Sequence, residues 1–147
     1  KRNGSSVKTV NVSGTKYTYS SCKSGYAYTM TVTPTATIKG EKISGKASSA
    51  TAIIKPTKPS ITAKVKKSNV NIKASKRACT GYQIQICKSK KFKSGVKKYT
   101  VKSTTLNKNI KRSSLKKGKN YIRVRAYKTY NGKTAYGNWS KIKSVKR

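Results

Sequence analysis

A chain with 37 lysines and arginines and a single acid, Glu41, cannot be held together by ion pairs. Its formal net charge is +36, and self-repulsion on that scale opposes any compact state at low salt. Folding must come from apolar burial, yet only 33% of the residues are hydrophobic, so the core has to be lean. Val, Ile, Ala and Tyr dominate that set, with one Phe, one Met and one Trp. Such side chains suit the thin interior of packed sheets better than a helical bundle.

The charge is unevenly placed. Residues 1–58 hold ten cations and Glu41, whereas residues 59–147 hold twenty-seven cations and no acid. Arginine occurs only at positions 2, 77, 112, 123, 125 and 147, so lysine carries most of the charge. A surface of this kind attracts polyanions, and it also keeps a chain in solution. Lysine is spread through every segment without a dense block, and both readings stand on the sequence.

The chain has no His and no Asp. Paired carboxylates for acid–base work, Ser/His/Asp or Cys/His triads, and His/carboxylate metal sites are therefore excluded within it. A lysine or cysteine nucleophile would find no base to activate it. The sequence reads as non-catalytic, with no cofactor and no metal. Three cysteines, Cys22, Cys79 and Cys87, cannot all pair in one chain. Cys79 and Cys87 flank one expected strand, and at ~3.3 Å per residue they stand roughly 26 Å apart, beyond disulfide reach. No CxxC pair is present, so the cysteines are expected as small buried hydrophobes, with Cys22 in a core position. No run of about 20 apolar residues can span a membrane and no signal peptide opens the chain. A start at Lys1 rather than Met reads as a fragment or processed product.

Period-two alternation runs throughout, and helix signals are poor. Strands are expected at Val7–Val12 and over Tyr26–Val32, where Tyr26, Tyr28, Met30 and Val32 share a face, followed by an Ile38–Ile43 hairpin centred on Gly40. Pro56-Thr57-Lys58-Pro59 then breaks the ladder, because proline donates no hydrogen bond, and marks a boundary between residues 1–57 and 58–147. Beyond it, strands are expected at Ile61–Val65, Val70–Ala74, Tyr82–Ile86, Tyr99–Val101, Leu106–Ile110, Tyr121–Tyr127 and Trp139–Val145. Asn131-Gly132 is a strong hairpin signal between the last two. Seven short strands at this spacing predict an all-β sandwich.

The chain also repeats itself. Cys22-Lys23-Ser24-Gly25-Tyr26-Ala27-Tyr28 aligns with Leu115-Lys116-Lys117-Gly118-Lys119-Asn120-Tyr121 at an offset of 93, and Lys39–Gly45 aligns with Asn131–Gly137 at an offset of 92. The second copy has lost one residue between Tyr121 and its hairpin. Residues 1–57 match only the C-terminal half of residues 58–147.

These residues resemble a family. Lys58-Pro59-Ser60, Gly81-Tyr82-Gln83-Ile84, Lys90-Lys91-Phe92, Leu115 to Tyr121, Val124-Arg125-Ala126-Tyr127, Asn131-Gly132-Lys133 and Trp139-Ser140-Lys141 are similar to fibronectin type III domains of Gram-positive (Firmicutes) surface and secreted proteins. The resemblance covers residues 58–147 and, as a C-terminal half, residues 1–57. It implies an immunoglobulin-like β-sandwich with Greek-key connections, no chemistry of its own, and an extracellular or cell-surface location. It also implies that Tyr121, and Tyr28 in the first copy, form a tyrosine corner tying the strand back to the preceding loop. The chain departs from the family at Ala74, where a Trp is usual, which implies a looser core unless Tyr82 or Trp139 fills the space. It departs also at Cys79, at Cys87 and in the missing residue after Tyr121. An Arg-Gly-Asp tripeptide is ruled out by the absence of Asp.

Three functions follow as expectations. The first is an adhesion or spacer module that binds anionic polymers, such as teichoic acid or acidic glycans, by diffuse lysine electrostatics. The second is a basic nucleic-acid-binding protein. The third is a mechanical linker whose charge serves only solubility. Candidate polyanion-binding residues are Lys116, Lys117, Lys119, Arg123, Arg125, Lys128 and Lys133. Tyr127, Tyr130, Tyr136 and Trp139 form either a ligand-stacking patch or hairpin cover. The half repeat lacks its first strands, so its open edges are expected to self-associate or to order poorly.

Overall fold

Alternating apolar residues become a stable strand when something covers their inward face, and the two parts of this chain differ in that respect. The computed structural model describes residues 1–147 and contains no α-helix; one 3-10 turn, Arg112–Ser114, is its only helical piece. The strands are β1 (Ala27–Val32), β2 (Thr35–Ile38), β3 (Glu41–Ser44), β4 (Ser48–Ile53), β5 (Ile61–Lys66), β6 (Asn69–Ala74), β7 (Gly81–Cys87), β8 (Lys97–Val101), β9 (Leu106–Lys111), β10 (Lys119–Tyr130), β11 (Lys133–Tyr136) and β12 (Lys143–Lys146). All strand pairings are antiparallel.

After Pro59 the strands form two sheets. One has the order β5-β6-β9; the other has β11-β10-β7-β8, with β12 also on β10. Val70 and Ile72 of β6 and Leu106 and Ile110 of β9 face Tyr82, Ile84 and Ile86 of β7 and Ile122, Val124 and Ala126 of β10 in one buried cluster. Each large aliphatic side chain buried there contributes about 1.5–3 kcal/mol, which is how a lean core holds so charged a chain. The arrangement is all-β and sandwich-like. Tyr82 rather than Trp139 supplies the large ring of this core: it is fully buried, and its hydroxyl donates to Ser75 O at 3.0 Å and Thr104 O at 3.1 Å. Burial pushes its phenol well above the ordinary range.

The last expected strand is shorter than its alternation suggested. Only Lys143–Lys146 forms a strand, and Trp139 lies in a detour that keeps two backbone–backbone ties to β10. Gly137 N–H donates to Ala126 O at 2.9 Å and Ser140 N–H to Val124 O at 2.7 Å. Ahead of the detour, Asn131 and Gly132 make the expected two-residue turn with φ of 47° and 73°.

Residues 1–57 form two separate two-stranded ladders, β1-β4 and β2-β3, with no facing sheet. Lys39 and Gly40 turn the second ladder as expected. Val7–Val12 forms no strand, and Val7, Val10, Val12, Met30, Val32, Ile38 and Ile43 are all exposed. Alternation there has no partner strand to hydrogen-bond, and its valines stay exposed across an open cleft from β1. The shared face expected of Tyr26, Tyr28, Met30 and Val32 is likewise left open toward its end. Lys1 and Asn3 instead bond along the outer edge of β1, with Thr29 N–H on Lys1 O at 3.0 Å and Asn3 N–H on Ala27 O at 2.8 Å. This unit meets the sandwich at Gly25, where any Cβ would overlap Ala78 O and φ is +81°.

Two positions differ from the sequence reading. Tyr121 faces outward, because on β10 the even-numbered residues Asn120, Ile122, Val124 and Ala126 point inward. Buried Asn120 ties the strand back instead, donating to Lys116 O at 2.8 Å and Gly118 O at 3.0 Å. Tyr28 does bond its own preceding loop, its hydroxyl accepting from Lys23 N–H at 2.8 Å. Cys22 is exposed, not in the core, whereas its counterpart Leu115 is buried, because only the second unit has a facing sheet to cover that position. All three cysteines are free; Cys79 and Cys87 are buried, and burial pushes the Cys79 thiol up. A thiol-alkylating reagent should therefore label one cysteine in the folded protein, Cys22, and three after denaturation, as read by intact mass. Labelling of Cys79 or Cys87 in the native state at a rate like that of Cys22 would contradict this burial.

Candidate anion-binding face

The parity that sends Val124 inward sends Arg123 and Arg125 to the outer face of β10. Antiparallel pairing with β7 sets Arg123 opposite Gln85 and Arg125 opposite Gln83. Each guanidinium Nε donates across the strands to the amide oxygen it faces, at 2.8 Å to Gln85 Oε1 and 2.9 Å to Gln83 Oε1. The detour after β11 then lays the Trp139 ring against both cations, 4.3 Å from the Arg123 guanidinium carbon and 4.5 Å from that of Arg125. Phe92, from the loop after β7, takes Arg123 at 4.2 Å, and Tyr136 of β11 takes Arg125 at 3.9 Å. Tyr127 continues the row against Tyr136, with ring centroids 6.0 Å apart.

The result is a ladder in which rings and guanidinium groups alternate: Phe92, Arg123, Trp139, Arg125, Tyr136. Ring quadrupoles attract cations, and each such contact is worth roughly 0.5–2 kcal/mol depending on desolvation. In a chain with one acid the rings take the place that carboxylates usually hold. Burial pushes Arg123 below the ordinary arginine value, and the neighbouring Arg125 adds to that effect.

Of the candidate residues named from the sequence, the fold brings together Arg123, Arg125, Tyr127, Tyr136 and Trp139. Lys116 and Lys117 lie instead in the exposed turn at Gly118, where Lys88 Nζ donates to Lys117 O at 2.7 Å. Lys119 stands 5.7 Å from the Tyr121 ring, which Lys90 approaches at 5.8 Å. Lys133 follows the Asn131-Gly132 turn, Lys128 takes the inward parity at the far end of β10, and Tyr130 lies near Gly4. Gln83, Gln85 and Phe92 do not stand out as site residues in the sequence. The two glutamines alternate with Ile84 and Ile86, a visible sign of an outward polar row, whereas nothing local marks Phe92 as a stacking partner.

Lysines cover the opposite sheet as well. Lys64, Lys66, Lys73 and Lys111 are exposed around Asn71, whose Nδ2 donates to Asn107 Oδ1 at 2.8 Å and Asn109 Oδ1 at 2.7 Å. Both outer faces are therefore cationic. A cleft of about 720 Å³ lies between the Val7–Thr15 segment and β1, lined by Tyr17, Tyr28, Met30 and Val32. It gathers valines, tyrosines, threonines and lysines, without an acid or a cysteine. No protein-family model matches the chain, and no curated protein matches it in sequence.

Removing the central rung should test the ladder. W139A is expected to lower stability by about 1–3 kcal/mol in denaturant titrations, since two stacked cations lose their shared ring. Y130A, outside the ladder, should cost less. Equal losses for the two variants would show that the Trp139 stack carries no special stability.

Proposed function

We propose that the chain is a non-catalytic, extracellular adhesion or spacer module that holds anionic polymers, such as cell-wall teichoic acid or acidic glycans, by lysine electrostatics. The observation that carries this reading is the cover of cations on both outer faces of the sandwich, with Glu41 alone to oppose them. Lysine suits a diffuse polyanion, because a mobile point charge follows the polymer without demanding a fixed geometry.

Membership of the fibronectin type III family, in a surface protein of a Gram-positive bacterium, is part of the same proposal. The order β5-β6-β9 in one sheet and β8-β7-β10 in the other, with β11 and β12 both paired to β10, supports it. A half repeat before a complete one is supported by shared pairing. Ala27 faces Ile53 and Tyr28 faces Ala52, as Asn120 faces Val145 and Tyr121 faces Ser144. Gly45 N–H donates to Pro34 O just as Gly137 N–H donates to Ala126 O, both at 2.9 Å. The open edges of β2 and β3 and the exposed valines of the first unit favour self-association there. Sedimentation should then show a concentration-dependent dimer that disappears when residues 1–57 are removed. A sharp monomer at every concentration would refute self-association.

Binding to duplex DNA, used as a polyanion of known charge spacing, should weaken with salt at a log–log slope of about −0.9 per neutralised phosphate. Six to ten contacts imply roughly 10³–10⁵ weaker binding at 200 mM than at 50 mM salt. Replacing Lys116, Lys117 and Lys119 with Ser should reduce that slope by up to about three while leaving the circular dichroism spectrum unchanged. Teichoic acid and acidic glycans should behave alike at matched charge density. Selective binding to DNA would favour the nucleic-acid alternative, and no binding to any polyanion at 50 mM salt would leave the mechanical linker.

A further inference from the structure

Arg123 and Arg125 are held differently from the lysines around them. Each has its Nε engaged by a glutamine and its guanidinium carbon 3.9–4.5 Å from two aromatic ring centroids, contacts that restrict the side chain. The Nη groups make no hydrogen bond within the protein and lie on the half-exposed outer face. Two residues along a strand separate the pair by roughly 6.6 Å at ~3.3 Å per residue, with the Trp139 ring against both cations. We infer that the ladder is a two-pronged clamp in which Arg123 and Arg125 each grip one tetrahedral oxyanion, a phosphate or a sulfate, at two nearby points along a linear polymer.

The chemistry follows from the fork. A guanidinium presents paired N–H donors that match two oxygens of one phosphate or sulfate, which a lysine ammonium cannot do. Stacking has already removed the rotamer freedom that binding would otherwise cost, so these two residues are preorganised where the lysines are not. Their mutual repulsion, with no acid beside them, is relieved by an anion on each.

The clamp rests on the reading of the chain as a polyanion binder, and the experiment separates the two. Inorganic polyphosphate and dextran sulfate are titrated into the whole chain and into R123K/R125K, which keeps the charge and removes both forks. The expected result is a loss of roughly tenfold or more in affinity with the salt slope nearly unchanged, since a charged hydrogen bond is worth more than a factor of ten. Loss for only one of the two polymers assigns the clamp to that oxyanion. On the unmodified protein, the Arg123 and Arg125 Nε–H and the Trp139 indole N–H resonances should shift early in the titration. This readout needs no variant to fold. Equal affinity of the variant, or unmoved arginine resonances while binding proceeds, overturns the clamp and leaves the diffuse reading standing. No binding by the unmodified chain overturns both.

Discussion

Strand β10 and its pairing with β7 organise the whole sandwich. Along Lys119–Tyr130 every second residue enters the core, and the register with β7 fixes what each outward residue meets. One-residue slippage would bury Arg123 and Arg125 and expose Ile122 and Val124, so the core and the outer face are set by the same choice. The apolar side of the strand excludes the alternative. Burying a guanidinium without a partner costs far more than any rearrangement of the turn at Gly118 would gain.

Charge shapes everything outside that core. With one acid in the chain, the cations of residues 59–147 have no carboxylates to lean on. The fold answers in two ways. Lysines stay on both outer faces, where water and salt screen them. The two arginines of β10 are instead stacked between rings and hydrogen-bonded to glutamines, because a weakly hydrated planar cation tolerates partial burial better than an ammonium does. The same arrangement that offsets their repulsion within the protein leaves their outer donors free.

The two halves of the chain show what a facing sheet is worth. β1 and β4 pair much as β10 and β12 do, yet Cys22 is exposed and Leu115, which it aligns with in sequence, is buried. Local sequence is enough to form the hairpin and its returning strand. It is not enough to bury them, since a two-stranded ladder has no second layer and an isolated hairpin is marginal in water.

Much of this was legible in the residues. Alternation and β-branched content marked the strands from Ile61 to Tyr127, Pro56 and Pro59 fall between β4 and β5, and Asn131-Gly132 and Gly40 marked the turns. The absence of His and Asp narrowed the chemistry before any fold was considered. Three things were not legible. Val7–Val12 alternates like a strand and has nothing to pair with. Tyr121 carries the expected spacing from Leu115, but the parity of β10 hands the tying role to Asn120. Trp139 was expected to open a strand, and the detour after Gly137 lays it between two arginines instead. The sequence by itself determined the periodicity, the turns and the charge, because these depend on neighbours a few residues away. Only the tertiary structure decided which faces were covered and which rings met which cations, because the faces depend on strands 32 to 46 residues apart settling into register and the ring contacts on residues 11 to 31 apart meeting across the sheet.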